Sequence, residues 1–124
     1  MQRRFLVAVP LFLGVVTPLN AQPVSWGMAQ CSALMGVMKT HVVQEPHKAY
    51  LASAEASLFD AAKRQAIAEG RDTGELGAVH ARSADSWRAM GYSMAFKTEF
   101  RDWTDYCKSL ARSYDVALDK SRLP

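Results

Sequence analysis

Thioether and imidazole side chains fall at spacings that could gather them at one end of a helical protein. Met38 and His41 are three residues apart, and Met90 and Met94 are four residues apart. Thioether sulfur and imidazole nitrogen are ligands that suit copper(I), so these four residues are candidate metal ligands. Methionines also fill irregular gaps in apolar cores. We favour the core interpretation and predict no bound cofactor.

Cys31 and Cys107 are the only cysteines in the chain. They lie too far apart for a Cys-x-x-Cys redox motif, and an even count in a small exported chain is first interpreted as a disulfide. Only one pairing is possible within the chain. Closing a loop of about 77 residues would stabilise the fold by roughly 4 to 4.5 kcal/mol in the chain-entropy model. We therefore predict a structural disulfide between Cys31 and Cys107.

Familiar catalytic motifs are absent from the sequence. There is no Gly-x-Ser-x-Gly, no His-Glu-x-x-His, no glycine-rich phosphate loop and no Cys-x-x-Cys-His for covalent haem. Ser83, Asp85 and Ser86 lie near His80, where a nucleophile and a base could in principle meet, which leaves a small hydrolase as a weaker alternative. Nothing on that helix orients the imidazole, so we interpret the stretch as a solvated face. We predict a protein without catalytic activity.

Residues 1–21 have the three-part order of a secretory signal peptide. Arg3 and Arg4 supply positive charge, an apolar run follows, and Ala21 precedes the predicted cleavage point. The apolar run of about 12 residues is shorter than the roughly 20 that a membrane-spanning helix needs, so we expect no permanent membrane anchor. The mature protein would be residues 22–124, a single helical domain in the periplasm or secreted.

The charge of the predicted mature chain is close to neutral. Removing Arg3 and Arg4 from the fifteen basic residues leaves thirteen, against twelve acidic residues. A net charge of +1 gives no basic surface of the kind that binds phosphates. We therefore expect no nucleic-acid partner.

The composition favours helices over strands, because alanine is abundant and β-branched residues are few. We expect a first helix over residues 25–43, with Ser25 as its cap. Pro46 is suited to open the second helix, and Gly70 to end it. The prediction is an all-α fold.

Two further helices are expected in the second half of the chain. Asp72 and Glu75 resemble a capping box, which predicts a third helix from about Thr73. A fourth helix should carry an apolar stripe that forms the centre of the core. The stripe comprises Phe96, Phe100, Trp103, Cys107, Leu110, Tyr114 and Ala117. One helix across both segments would be about 70 Å long, so we predict a break at residues 91–93 and a small up-down four-helix bundle stapled by one disulfide.

A rigid bundle without an assembled catalytic site is expected to act through its surface. Exposed apolar residues at helix edges or ends mark a contact surface. Here those residues are Trp26, Val43, Tyr92 and Leu123. We predict an exported, non-catalytic protein that binds another protein, as an accessory subunit or as an inhibitor or immunity-type factor. The alternative is a periplasmic bundle that binds copper(I) or another small ligand at its Met/His cluster.

Overall fold

Four α-helices form a bundle in the computed structural model, which describes residues 22–118. The helices are α1 (Val24–Lys39), α2 (Glu45–Ala68), α3 (Leu76–Met90) and α4 (Thr98–Ser113), with 3₁₀ helices at Thr73–Glu75 and Gly91–Phe96. Within residues 22–118 there is no strand, and the predicted all-α bundle is confirmed. None of these helices is long and apolar enough to cross a membrane. The predicted signal peptide and residues 119–124 lie outside the described residues.

Helix α1 occupies the centre of the bundle. It packs against α2, α3 and α4, and it is buried on nearly every side. Its side chains Met28, Leu34 and Met35 are fully enclosed. A helix that is apolar all round belongs in the interior, and the other three helices form a layer around this one.

The prediction that the α4 stripe forms the centre of the core is wrong. Cys107 and Leu110 are buried, but Phe96 is 88% exposed and Tyr114 is 42% exposed. Phe96 belongs to the 3₁₀ segment before α4, where the angular step per residue differs from that of an α-helix. Tyr114 follows the last residue of α4. The stripe therefore turns away from the core at both ends.

Glycines mark the two sharp breaks between helices. Gly70 after α2 has φ +72°, and Gly91 after α3 has φ +59°. This left-handed backbone region favours glycine, so the predicted break at residues 91–93 is confirmed. Helix α3 starts at Leu76, later than predicted, because residues 73–75 wind as a 3₁₀ helix. The Asp72 side chain accepts a hydrogen bond from the Gly74 N–H at 2.9 Å and caps that turn.

The N-terminus of α1 is held by a residue from the α2–α3 connection. The prediction of Ser25 as the cap is wrong, because α1 begins at Val24 and Pro23 occupies the N-cap position. Glu69 accepts hydrogen bonds from the Ser25 N–H at 3.2 Å and from the Ser25 hydroxyl at 2.6 Å. First-turn N–H groups lack partners within their own helix, and the positive end of the helix dipole favours a carboxylate. Glu69 therefore ties the end of α2 to the start of α1.

A buried disulfide joins α1 to α4. The Sγ atoms of Cys31 and Cys107 are 2.09 Å apart, and the two residues are separated by 76 positions in the sequence. Both cysteines have no exposed surface. The predicted disulfide is confirmed, and it links the two helices that the chain reaches first and last.

Candidate functional site

A pocket lies at the end of the bundle where the α1–α2 connection meets the segment between α3 and α4. Its cavity has a volume of about 310 Å³. Residues from both connections and from α1 and α4 line it, and we call this cavity the end pocket. The lining residues are Met38, His41, Val42, Tyr92, Met94, Ala95 and Phe100.

Three of the four predicted metal ligands lie in the end pocket. Met38, His41 and Met94 line it, whereas Met90 lines a different cleft. Helix α3 ends at Met90 and the chain changes direction at Gly91, so Met90 and Met94 do not share a helix face as their spacing suggested. Across residues 22–118, no group of three His, Cys, Asp or Glu side chains is placed to hold a metal ion. Any metal ligand set at the end pocket would therefore depend on thioether sulfur.

His41, which lines this apolar cavity, carries an unsatisfied polar atom. Its Nδ1 atom is buried and has no hydrogen-bond partner among the described residues. The imidazole ring lies against Tyr92, with ring centroids 4.9 Å apart and an interplanar angle of 67°. A buried polar atom without a partner costs free energy.

Three large apolar side chains in the lining of the end pocket, or next in sequence to it, are exposed to solvent. Val43 is 85%, Tyr92 80% and Phe96 88% exposed. Tyr92 lines the pocket, Val43 follows the lining residue Val42, and Phe96 follows the lining residue Ala95. We call Val43, Tyr92 and Phe96 the apolar rim. Exposure of Val43 and Tyr92 agrees with the sequence prediction, whereas Phe96 adds an aromatic ring that the periodicity had assigned to the core.

The other two predicted contact residues are not part of the apolar rim. Trp26 is half-buried near the start of α1, where its Nε1–H donates a hydrogen bond to Glu75 at 3.0 Å. Leu123 lies outside the described residues. Ile67 is also exposed, at 69%, but it lies near the end of α2, far along that helix from the end pocket.

A second cleft contains His80 and a carboxylate from another helix. Its volume is about 350 Å³. The Glu55 carboxylate lies between two basic side chains, with Oε2 3.5 Å from His80 Nε2 and Oε1 3.2 Å from Lys39 Nζ. Because Glu55 is on α2 and His80 is on α3, no local motif indicates this pair.

The contacts around His80 favour a structural role for this residue. Ser32 in the same cleft is fully buried, and its hydroxyl donates to the backbone oxygen of Glu55 at 2.8 Å. Of the residues that the sequence placed near His80, Ser83 and Ser86 line a different cleft, and Asp85 pairs with Arg88 at 3.1 Å. Glu55 on α2 therefore contacts Lys39 on α1 and His80 on α3, and the cluster connects the three helices.

A third cavity, of about 410 Å³, lies between α1, α3 and α4. All three tryptophans of the chain, Trp26, Trp87 and Trp103, line it, and we call it the tryptophan cleft. No sequence motif indicates this cleft, because each tryptophan comes from a different helix. The remaining lining residues are Gln22, Gln30, Val79, Arg82, Ser83, Ser86, Met90 and Glu99.

A scan against protein-family models, a search of the curated proteins and a search of the solved structures each returned no match. No relative therefore supplies a function for this chain, and its function is inferred from these surfaces.

Proposed function

We propose that the protein acts by binding another protein through the end pocket and the apolar rim. The observation that carries this proposal is the exposure of three large apolar side chains at or beside the end pocket, with Tyr92 in its lining and Val43 and Phe96 each next in sequence to a lining residue. Burial of apolar surface is favourable by about 25 cal/mol per Å², so covering the apolar rim with a partner stabilises the complex. Clustered apolar surface of this kind marks interaction sites in proteins that are otherwise polar outside.

The residue types at this end suit a protein partner. Tyrosine and phenylalanine are enriched at the centres of protein interfaces, and Tyr92 and Phe96 would serve as anchors. Met38 and Met94 offer a flexible wall that adapts to an inserted side chain. We expect the partner to insert an apolar side chain into the end pocket.

The proposed role is that of an exported accessory subunit, or of an inhibitor or immunity-type factor. Export rests on the signal-peptide pattern of residues 1–21, with the periplasm or the cell exterior as the destination. The buried Cys31–Cys107 bond is compatible with that destination, because disulfides persist in oxidising compartments.

Affinity capture from the native host tests the proposal. The tagged protein should recover one partner in stoichiometric amount, and a variant with Tyr92→Ser and Phe96→Ser should lose it. The control is Ile67→Ser, which removes an exposed apolar side chain away from the rim and should retain the partner. Equal recovery by the rim variant, or no stoichiometric partner with the unaltered protein, would show that the proposal is wrong.

Copper(I) binding at the end pocket is a second candidate function. It is favoured by the presence of Met38, His41 and Met94 in one cavity. Two thioethers and one imidazole form a ligand set that copper(I) accepts. These ligands are separate in sequence, and the meeting of the two helix connections brings them to one cavity.

Native mass spectrometry after addition of copper(I) tests this candidate. The unaltered protein should gain the mass of one copper ion, and the variant with Met38→Leu and Met94→Leu should not. Met90→Leu is the matched control, because Met90 lines the tryptophan cleft and its loss should leave copper uptake unchanged. Copper retained by the double variant would rule out this site.

A further inference from the structure

The tryptophan cleft has the composition of a site for a small polar ligand. It combines three indole side chains with amide, guanidinium, hydroxyl and carboxylate groups. Its volume of about 410 Å³ lies within the range of small-molecule sites. We propose that the cleft binds a neutral, hydroxyl-rich ligand of the saccharide class. This inference does not rest on the proposed function, which concerns the end pocket and the apolar rim.

Trp26 is held in position by residues that do not themselves line the cleft. Its Nε1–H donates to Glu75 at 3.0 Å, and the Arg71 guanidinium lies 6.0 Å from the centre of its ring. Arg71 in turn pairs with Glu75 at 3.7 Å. The indole is therefore fixed before any ligand arrives, which reduces the entropy that binding must overcome.

The other two tryptophans are also fixed by neighbouring rings. Trp87 is nearly buried and meets Phe100 edge-on, with centroids 6.2 Å apart. Trp103 meets Tyr106 edge-on, with centroids 5.2 Å apart. Burial raises the pKa of Tyr106, so its hydroxyl stays protonated beside Trp103. The cleft therefore has rigid aromatic walls, and the negative faces of such rings attract the weakly positive C–H groups of a sugar ring.

The polar groups of the cleft can both donate and accept hydrogen bonds. Ser83 and Ser86 carry hydroxyls, Arg82 only donates, and Glu99 only accepts. Among residues 22–118, the side chains of these four residues form no hydrogen bond or ion pair with one another, and all are at least partly accessible to solvent. Sugar hydroxyls are donors and acceptors at once, and they match this mixed set.

The charges in the cleft argue against a ligand with a net charge of either sign. Arg82 disfavours a cation, and Glu99 disfavours an anion, since each would meet a like charge close by. A wholly apolar ligand would cover the polar groups without pairing them, which costs free energy for every group left unsatisfied. A neutral ligand that hydrogen-bonds to both charged residues avoids each of these costs.

Tryptophan fluorescence of the full chain gives a direct test, because every tryptophan of the protein lines the cleft. Maltose, cellobiose and N,N′-diacetylchitobiose are titrated separately to about 10 mM, a range that includes the millimolar dissociation constants of weak sites. At least one sugar should change the emission in a saturable manner. Choline and acetate, titrated over the same concentration range, serve as charged probes and should give no saturable change in the emission.

A double variant tests whether the change in tryptophan fluorescence comes from sugar bound in the cleft. Arg82→Ala combined with Glu99→Ala should weaken sugar binding by about tenfold or more, because charge-assisted hydrogen bonds are lost. Both side chains are exposed, so the variant should keep the circular dichroism and melting temperature of the unaltered protein. Tyr92→Ala, in the apolar rim, should bind sugar normally. No saturable response to any of the three sugars, a saturable response to choline or acetate alone, or unchanged sugar binding in the double variant would overturn the proposal.

Discussion

At the scale of single residues, Glu69 illustrates how one carboxylate links two helices. Burial by itself would raise the pKa of Glu69, but hydrogen bonds from Ser25 and Gln65 and the charge of Arg71 hold the pKa below its ordinary value of 4.5. A carboxyl group whose pKa is lowered by folding stabilises the protein above its unfolded pKa, and this stabilisation is lost as the pH falls through the folded pKa. Ser25 and Glu69 are 44 positions apart, so local sequence patterns could not reveal the pair.

Ser25→Ala should reduce the free energy of unfolding by about 1 to 3 kcal/mol at neutral pH, because the partly buried Glu69 carboxylate loses a charge-assisted hydrogen bond. Urea unfolding should show that the difference from the unaltered protein shrinks as the pH is lowered from about 7 to about 3, since a protonated Glu69 accepts a weaker hydrogen bond from Ser25 than the carboxylate does. Ser53→Ala, at an exposed position of α2, serves as the control and should have little effect. A loss that is independent of pH would contradict the role given to Glu69.

At the scale of helices, sequence patterns predicted the breaks better than the centre of the core. Gly70 and Gly91 were informative because their backbone conformations favour glycine. The regular apolar stripe of α4 was misleading about the centre of the core. A strongly amphipathic helix has one face on the core and one in water, so it lies at the surface of the bundle and not at its centre. Helix α1 shows little such pattern because neighbours cover it on nearly every side, and for that reason its central position was not apparent.

Gly91→Ala should lower the free energy of unfolding by about 1 to 3 kcal/mol, because a side chain is strained at φ +59° and ψ −146°. Gly77→Ala is the matched control. Gly77 lies in α3 with open space where the added methyl group would be, so this change should be neutral or stabilising by up to about 1 kcal/mol. Thermal unfolding of both variants checks the prediction, and equal effects of the two changes would show that Gly91 is not required for the turn.

At the scale of the whole molecule, the cysteine count and the up-down layout were enough to predict the disulfide and the meeting of Met38, His41 and Met94. The helix connections at one end of an up-down bundle lie close together, so residues at those connections become neighbours. The tryptophan cleft and the Glu55–His80 pair could not be predicted in this way. Each depends on the rotation of separate helices about their axes, which is determined by packing between helices and not by spacing within one helix.

Loss of the Cys31–Cys107 bond should lower the free energy of unfolding by about 4 to 4.5 kcal/mol, because the unfolded chain regains the freedom of a long loop. A variant with Cys31→Ala and Cys107→Ala, compared with the unaltered protein in urea, measures this difference. Added reductant should destabilise the unaltered protein but leave the double variant unchanged. Equal stability of the two proteins without reductant would contradict a stabilising role for the bond.

The most direct test of the central claim is site-specific photo-crosslinking in the native host. A photoreactive phenylalanine analogue placed at Phe96 in the apolar rim should form a crosslink to one partner protein, whereas the same group at exposed Ile67 on α2 should not. Crosslinks that depend on position 96 would support binding through the end pocket and its rim. No crosslinked protein at position 96, or the same products from position 67, would contradict the account.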